Sequence, residues 1–590
     1  MTEQHRLGAW PRQGGTQFAV WSDKSVAIAI RWTDERAHCR GELQLDPDPS
    51  DPQLRVGFAH GVGASALYEV LLDGKPAVDP YARALPRGVH GLAEIVDKPK
   101  RGQHPKRRIE LARGEVFYEL HIGTFTPDGT FRSAAARLPE LARLGVTVLE
   151  LMPVAAFPGT RGWGYDGVAL LAPLAAYGTV QELAELIDQA HGLGLSVILD
   201  VVYNHLGPDG NYLAGFSDSY FDSERDNPWG RAPAFDKQPF RRLIIDSARY
   251  WLEDVGFDGL RLDAVHELEP GGDPHVLQDL ASVARSCSPP AFLVAEDDRN
   301  DPASLFAHGI DAVWSDDFHH TVHVLLTSER DGYYSGYQGD LAELARVIER
   351  IHLFDGQVFP PTGRPRGKPC EGLPRERFVY ALQNHDQIGN RAFGERLHHL
   401  GDEQPVRALT LLWLLLPATP LLFMGQESGA DEPFLYFTDH TGELGEAVTK
   451  GRAKEFGKFA AFGQGGAQAL PDPQAEATFA RCRLHQQSDP LKRQSFEFHQ
   501  RALKLRREDP VLRRPTVVHA GVHGKALWVR SENAAGKRLL LLTSNEPVSC
   551  EAIADAAAAH ARLLMSSGAA SHDGLRFELP SNTCLVFALA

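Results

Sequence analysis

Strand-like and helix-like segments alternate through the middle of the chain. Short apolar runs rich in β-branched and aromatic residues are separated by segments whose apolar residues recur at helical spacing. The predicted strands are Val116–Ile122, Thr147–Met152, Ser196–Val201, Gly259–Asp263, Phe292–Glu296, Ala312–Ser315, Val379–Asn384 and Pro420–Gly425. The predicted helices include Ala134–Leu144, Val180–Leu193, Phe240–Val255, His275–Cys287, Asp340–His352 and Val406–Leu416. Strands that alternate with helices form parallel βαβ units, and eight such strands favour a closed barrel over an open sheet.

Different patterns flank this central region. Before residue 106 the segments are short, alternating and bounded by Gly, Pro or Asp turns, which predicts an N-terminal β-sandwich over residues 1–105. After about residue 495 a helix leads into short strands, so residues 496–590 are predicted to form a helix and an antiparallel β-domain. The fold class is therefore α/β, a (β/α)8 TIM barrel over residues 106–495 with a β-domain on each side. A long excursion, residues 203–239, follows the third strand, and loops of that length inside a compact domain are usually functional.

Composition narrows the classes of partner. The chain is 43% hydrophobic and 23% charged, as folded water-soluble proteins are, and its net charge is −16. This acidic balance disfavours a nucleic acid, whose binders need a basic face, and it is compatible with a neutral sugar. The most apolar stretch, Ala408–Met424, contains Pro417 and Pro420 and is shorter than a bilayer span, so no membrane association is expected.

The cysteines indicate a compartment. The six cysteines are scattered without a CxxC pair, which suits free thiols in a reducing compartment better than a disulfide framework or a zinc site. The N-terminus shows no basic segment followed by an apolar core, as a secretory signal would. We therefore expect a cytoplasmic protein.

Polar residues follow four of the predicted strands. The third strand continues through Asp200 to Asn204-His205, the fourth ends in Arg261-Leu262-Asp263, the fifth in Glu296, and the seventh in Asn384-His385-Asp386. Each has an ordinary explanation: an Asp after a strand often caps a helix, a buried His is often a core residue, and Arg261 with Asp263 could be a structural ion pair. Together they crowd like charges at one mouth of the barrel, which costs stability unless a function retains them.

The segments DVVYNH, GLRLDAV, LVAED and QNHDQ resemble, in order, the four signatures of the α-amylase superfamily. Terminal β-domains, including an immunoglobulin-like sandwich similar to a carbohydrate-binding module, also occur there. The resemblance implies retaining glycoside hydrolysis, in which one carboxylate attacks the anomeric carbon and another protonates the leaving oxygen. It implies Asp263 as nucleophile, Glu296 as acid/base and Asp386 as transition-state stabiliser. The substrate-binding residues it implies are Tyr165, Asp166, His205, Arg261, His385, Asp297, Gln387 and Arg391.

Some of these assignments have a physical reason beside the resemblance. Arg261 next to Asp263 would keep that carboxylate ionised, and like charges around Glu296 would raise its pKa. The resemblance further implies that Tyr165 stacks on a sugar ring, a contact that suits a neutral ligand, and that His205 and His385 bind hydroxyls of the same ring. Trp163 could serve in the same way or could be a core residue.

Longer stretches are similar to the maltooligosyltrehalose trehalohydrolase family. They are Ala295–Asn300, Trp314–His320, Val322–Tyr337, Asn384–Arg391 and Phe434–His440. The resemblance implies cleavage of the α-1,4 bond next to a terminal trehalose unit, with maltooligosyltrehalose as substrate, trehalose as product, and pathway coupling to a maltooligosyltrehalose synthase. Three alternatives remain: a branching transferase of the same superfamily, a debranching enzyme that cleaves α-1,6 links, and a non-catalytic glucan-binding protein.

The leaving-group side and the metal question are less defined. Asp297, Gln387, Arg391, Phe318 and Glu427 could line the leaving-group side or could serve loop packing and capping. Many α-amylases hold calcium through a long domain after the third strand, but here the excursion is short and its acidic residues lack the spacing of a calcium loop. We therefore expect no metal and no cofactor.

Overall fold

The computed structural model describes residues 6–33, 39–100, 102–456, 470–485, 489–550, 561–568, 571–573 and 576–589. Its centre is a closed barrel of eight parallel strands, and all eight predicted strands are present. In order they are Phe117–Leu120, Val148–Leu151, Ser196–Val201, Gly259–Leu262, Phe292–Ala295, Ala312–Trp314, Phe378–Ala381 and Thr419–Phe423. The first strand pairs with the eighth, which closes the barrel and leaves no open edge.

The side chains inside the barrel differ in polarity along its axis. Because successive residues of a strand point to opposite faces, every second residue points inward. Near the amino ends of the strands the inward residues are apolar and include Phe117, Val148 and Leu421. Two positions further along the first four strands, the buried inward residues are Glu119, Glu150, Asp200 and Arg261. Barrel interiors are ordinarily filled by branched apolar residues, so this charged layer marks the carboxyl end of the barrel as the functional end.

Helices surround the barrel at the predicted places, with one exception. The helix predicted over Ala134–Leu144 is confirmed over Leu138–Leu144, whereas its first two residues belong to a separate helix, Phe131–Ala135. Pro139 is at the start of the second helix, where its missing N–H needs no partner; inside one continuous helix it would remove a hydrogen bond. The other helices of this region are Ile122–Phe125, Val180–Gly192, Leu213–Phe216, Gln238–Arg249 with its continuation Tyr250–Val255, Val276–Ser286, Ala303–Phe306, Asp316–Thr327, Leu341–Arg350, His385–Gly389, Leu397–Leu400 and Glu403–Leu415.

The N-terminal region is a β-sandwich. One sheet contains Gly8–Arg12, Gly15–Trp21, Asp51–His60 and Asp46–Asp48; the other contains Cys39–Gln44, Ile28–Thr33, Leu67–Leu72, Lys75–Ala77 and Ala93–Glu94. Phe18 and Tyr68 join the two sheets edge to face with ring centroids 5.3 Å apart. The sandwich also holds the excursion after the third strand, since Ser22 Oγ donates to Phe216 O at 2.6 Å and Ser217 Oγ donates to Asp23 at 2.8 Å.

The chain ends in an antiparallel β-domain, as predicted. The helices Gly442–Phe456, Glu476–Arg481, Pro490–Glu508 and Pro510–Arg513 lead to it from the barrel. Its five-stranded sheet contains Val517–His523, Ala526–Asn533, Gly536–Thr543, Cys584–Leu589 and Arg562–Ser566, and its three-stranded sheet contains Val548–Cys550, Arg576–Leu579 and Ser571–Asp573. Within the described ranges, every helix is too short or too polar to cross a bilayer.

Candidate active site

Arg261 lies at the centre of the charged layer and is 1% exposed. Its Nη1 donates to Asp263 Oδ1 at 2.7 Å and to Asp200 Oδ2 at 2.9 Å, and its Nη2 lies 2.9 Å from Glu296 Oε2. One guanidinium therefore brings together the ends of the third, fourth and fifth strands. Because a buried ion network is stable only when its charges are closely paired, these contacts hold the carboxylates in place.

Asp263 lies in surroundings that favour its ionised form. Besides Arg261, Asn204 Nδ2 donates to Asp263 Oδ2 at 2.5 Å. Burial alone would raise the pKa of Asp263, but Arg261, His205 and Asn204 together lower it below its usual value. An ionised carboxylate in a dry pocket is suited to attack an electrophilic carbon.

Glu296 lies on the other side of the same guanidinium in the opposite protonation state. The Ala264 N–H donates to Glu296 Oε2 at 3.0 Å. Burial is the largest cause and raises the pKa of Glu296 to about 8, with Asp263 and Asp386 adding to the rise and Arg261 opposing it. Glu296 is therefore protonated at neutral pH and can donate a proton. The like charges of Asp263 and Asp386, which the sequence predicts as the cause, raise this pKa less than burial does.

Asp386 faces the same cleft from the seventh strand. It lies in the first turn of the helix His385–Gly389, and Asn390 Nδ2 donates to its Oδ1 at 2.5 Å. Its charge helps to raise the pKa of Glu296, and also that of Asp316, which burial and Asp386 together raise to about 6. The three predicted carboxylates thus lie around one cleft.

Tyr165 and His385 form one wall of the cleft. Their rings stack with centroids 5.1 Å apart at 23°, and the Tyr165 hydroxyl lies 2.8 Å from both Asp200 Oδ2 and His385 Nε2. Trp163 is a core residue, which decides the alternative left open by the sequence. Its Nε1 donates to Leu435 O at 3.0 Å and its ring stacks on Phe434.

An aromatic residue of the excursion covers His205. The hairpin formed by Phe221–Asn227 and Gly230–Pro233 carries Trp229 at its turn, 38% exposed. The Trp229 ring lies over the His205 ring with centroids 3.6 Å apart, and His205 Nε2 lies 2.8 Å from Tyr165 O. An exposed, nearly parallel indole at the mouth of a cleft is a surface on which a sugar ring can stack.

The predicted substrate-binding residues beyond this wall are already engaged with protein groups. Gln387 Oε1 accepts from the Tyr333 hydroxyl at 3.1 Å, Arg391 donates to Glu329 at 2.6 and 3.0 Å, and Asp166 Oδ2 lies 3.3 Å from His440 Nε2. Gln387 and Tyr333 lie beside Asp386, whose charge helps burial to raise the pKa of Tyr333. This face is therefore an aromatic and amide surface next to the third carboxylate.

Three of the side chains considered for the leaving-group side do not reach the cleft. Phe318 is buried face to face with Tyr380 at 4.6 Å, and Glu427 is buried against the Tyr118 hydroxyl at 3.1 Å. The Asp297 carboxylate is 0% exposed and accepts from Arg299 at 2.7 Å and Ser304 at 3.0 Å, so a sugar contact of Asp297 is not supported.

Asp297 also belongs to a group with metal-ligand chemistry. In the described parts of the chain, His266, Asp297 and Asp298 place one possible ligand atom each within 4.8 Å of the others. Since Asp297 is already neutralised by Arg299, this arrangement does not favour a divalent cation.

Several residues of the site were missed from the sequence. A signal existed for Glu119, a charged residue inside an otherwise apolar strand, because such residues are almost never buried without a partner. Trp229 and Tyr333 lie on segments without strong periodicity. Their places depend on how the excursion and the helix Asp316–Thr327 pack, which a linear pattern does not report.

Three comparisons bear on the family. Residues 106–239 match the family model described as alpha amylase, catalytic domain. The chain is 44% identical to a malto-oligosyltrehalose trehalohydrolase of Deinococcus radiodurans (91% of this chain and 89% of that protein) and 45% identical to one of Arthrobacter ramosus (84% and 88%). A crystal structure assigned as an alpha amylase of Salmonella typhimurium has a TM-score of 0.89 and 36% identity, covering 99% of this chain and all of that one. The chain belongs to the malto-oligosyltrehalose trehalohydrolase family.

Proposed function

We propose that this protein hydrolyses the α-1,4-glucosidic linkage next to the terminal trehalose of maltooligosyltrehalose, with retention of configuration. The observation that carries the chemistry is the Arg261 guanidinium, which binds both Asp263 and Glu296. The pKa of one carboxyl is lowered and that of the other is raised to about 8. A nucleophile and a general acid side by side are what retaining hydrolysis needs. The names of the relatives support the substrate.

The two steps follow from these protonation states. An Asp263 oxygen attacks the anomeric carbon while the Glu296 proton passes to the glycosidic oxygen, and trehalose leaves. Glu296, now ionised, takes a proton from water, whose oxygen attacks the same carbon and breaks the bond to Asp263. Asp386 stabilises the positive charge that develops on the ring in both transition states. Two inversions return the α configuration.

Substrate binding is assigned to the walls of the cleft. Tyr165 stacks on the sugar that is attacked. His385 and His205 hold this wall in place, because their ring nitrogens already face Glu119, Tyr165 and Asn204 rather than the sugar hydroxyls expected from the sequence. Gln387 with Tyr333 lies on the side of Asp386 and is proposed to contact the departing trehalose. Asp166 and Arg391 contribute to the cleft indirectly: Asp166 is paired with His440, and Arg391 is paired with Glu329.

The deciding experiment compares maltooligosyltrehalose with plain maltooligosaccharide and amylose, with products separated by chromatography. Free trehalose together with a shortened maltooligosaccharide is the expected result. A change in iodine staining of amylose without new reducing ends would instead indicate a branching transferase. Binding of glucan without any turnover would indicate a non-catalytic protein.

The cellular setting is proposed from chemistry. Within the described residues, Cys370, Cys482 and Cys584 are free thiols, as in a reducing compartment. We place the enzyme in the cytoplasm, without nucleic-acid or membrane partners. There it follows a maltooligosyltrehalose synthase, since a separate reaction must first make the trehalose end.

A further inference from the structure

A chain of buried hydrogen bonds runs beneath the cleft and joins five residues from different parts of the barrel. Glu119 Oε1 lies 2.5 Å from His385 Nδ1, His385 Nε2 lies 2.8 Å from the Tyr165 hydroxyl, and that hydroxyl lies 2.8 Å from Asp200 Oδ2. Asp200 in turn accepts from Arg261 at 2.9 Å. The chain of hydrogen bonds therefore ends at Arg261, the guanidinium that also binds Asp263 and Glu296.

The positions of the protons follow from counting donors. The Tyr165 hydroxyl has one proton but two close partners, Asp200 and His385. Asp200 is ion-paired with Arg261 and, although burial raises its pKa to about 6, it is mainly ionised at neutral pH. The anion is the stronger acceptor and takes the Tyr165 proton. His385 Nε2 can then bond to the Tyr165 oxygen only as a donor.

The other ring nitrogen of His385 is also a donor. Both oxygens of Glu119 face His385, one accepting from the backbone N–H at 2.9 Å and the other lying next to Nδ1. The Glu119 side chain is 1% exposed, and a carboxylate buried so deeply needs a positive partner. His385 supplies that partner if its ring carries two protons.

The neighbouring strand carries a second buried carboxyl that does not compete for this charge. Glu150 lies opposite Glu119 in the register of the first two strands. Both Glu150 oxygens are buried without a hydrogen-bond partner in the described structure, and burial raises its pKa well above the usual value, with the charge of Glu119 adding to the rise. Glu150 is therefore neutral, and the negative charge of the pair stays on Glu119.

We propose that Glu119 is a positioning residue that keeps His385 doubly protonated, and thereby fixes the direction of the hydrogen bond from Tyr165 to Asp200. A buried histidine without a carboxylate behaves differently in this protein: burial lowers the pKa of His121 to about 3. Burial alone would also lower the pKa of His385, but Glu119 more than offsets this effect and raises the pKa to about 9.

The remaining surroundings of His385 do not change this conclusion. Of the other charged groups that face its ring, Asp386 favours the charged form and Arg261 opposes it. Asp200 lies beyond the Tyr165 hydroxyl, and Trp163 and Trp314 pack against the ring without charge. Glu119 is thus the group that decides the protonation state.

Glu119→Gln tests the proposal with little change of shape. The single amide oxygen can still accept from Nδ1–H, while the His385 backbone N–H then faces the amide nitrogen and loses its acceptor. The ring becomes neutral and its Nε2 becomes an acceptor. His385 and Asp200 then compete for the single Tyr165 proton, and one hydrogen bond beside the sugar site is lost. A hydrogen bond to a charged group contributes about 1.5–3 kcal/mol, so kcat/KM should fall about 10- to 100-fold.

The direct readout is NMR of protein with isotope-labelled histidine, in which the His385 ring signal is assigned by its loss in His385→Asn. The ring of the unmodified protein should remain an imidazolium beyond about pH 8, whereas in Glu119→Gln it should be neutral at pH 7. Glu150→Gln is the matched control: it replaces a carboxyl that is already neutral, so His385 should stay charged. A neutral His385 in the unmodified protein, or the same ring state in Glu119→Gln, overturns the proposal.

The pH dependence of kcat/KM distinguishes a positioning role of Glu119 from a simple loss of folded protein. In Glu119→Gln, kcat/KM should already fall at a pH below the Glu296 limb near pH 8, because His385 now loses its proton earlier, while Glu119→Asp should retain a charged ring. A uniform loss at every pH would contradict the role. The rate consequences rest on the proposed function, but the NMR measurement needs no substrate, so the two can fail separately.

Discussion

Glu296→Gln tests the proposed acid. The pKa of Glu296 is about 8, so at pH 7 about 90% of the unmodified protein carries the proton that cleavage needs. The protonated form is the active one, so kcat/KM should be constant through neutral pH and fall about tenfold per unit above about pH 8. A glutamine side chain neither transfers a proton to the leaving group nor titrates in this pH range. The variant should therefore lose about 10²–10⁴-fold in kcat, and its residual rate should show no limb near pH 8.

The assay is trehalose release at low substrate concentration across the pH range, beside the turnover of an α-glucosyl fluoride. Fluoride leaves without a proton, so the first step should be spared in Glu296→Gln and abolished in Asp263→Asn. Glu267→Gln is the control, since that carboxyl follows the fourth strand but is 67% exposed on its side chain. A Glu296→Gln variant that keeps the limb near pH 8, or more than about a tenth of the unmodified protein's activity, would refute the assignment.

Three further outcomes are expected. Trp229→Ala should raise KM about threefold to tenfold with little change in kcat, because one stacking surface worth about 0.5–1.5 kcal/mol is lost; steady-state kinetics showing an unchanged KM would contradict this. Burial lowers the pKa of His121 and His319 to about 3, below the unfolded value of about 6.5, so the stability they contribute is present above that value and lost as pH falls below it. At pH 4.5 each of these two histidines should lower the free energy of unfolding by about 2.7 kcal/mol relative to pH 7. Equal denaturant midpoints at pH 7 and pH 4.5 would count against this. A chelator should leave kcat unchanged; activity lost and then restored by calcium would show that a metal is required.

The barrel could be predicted because its strands are continuous apolar runs and its helices keep a regular period. Strands buried on both faces, such as Ser196–Val201, stand out from the amphipathic helices beside them, such as Val180–Gly192. The helix predicted over Ala134–Leu144, which the structure divides before Leu138, shows the limit of that signal. Its apolar period continues through Pro139, and only the backbone requirement of proline divides it.

The cleft could be predicted as far as polar residues follow apolar strands. Asp263 and Glu296 directly follow their strands, and Asp386 lies in the short helix that follows the seventh strand, so the topology brings the three together. The protonation states needed more: burial is the largest cause of the raised pKa of Glu296, and burial depends on the whole packed structure. Glu119 acts across 266 residues of sequence on His385, a distance that no local motif spans.

Hydrolysis of maltooligosyltrehalose in water enriched in oxygen-18, followed by proton NMR and mass spectrometry, tests the retaining mechanism and the site of cleavage together. Trehalose should be released without label. The shortened maltooligosaccharide should appear first as the α-anomer, with the heavy oxygen on its new anomeric carbon. Initial β-anomer would contradict the roles of Asp263 and Glu296, and products without free trehalose would contradict the proposed site of cleavage.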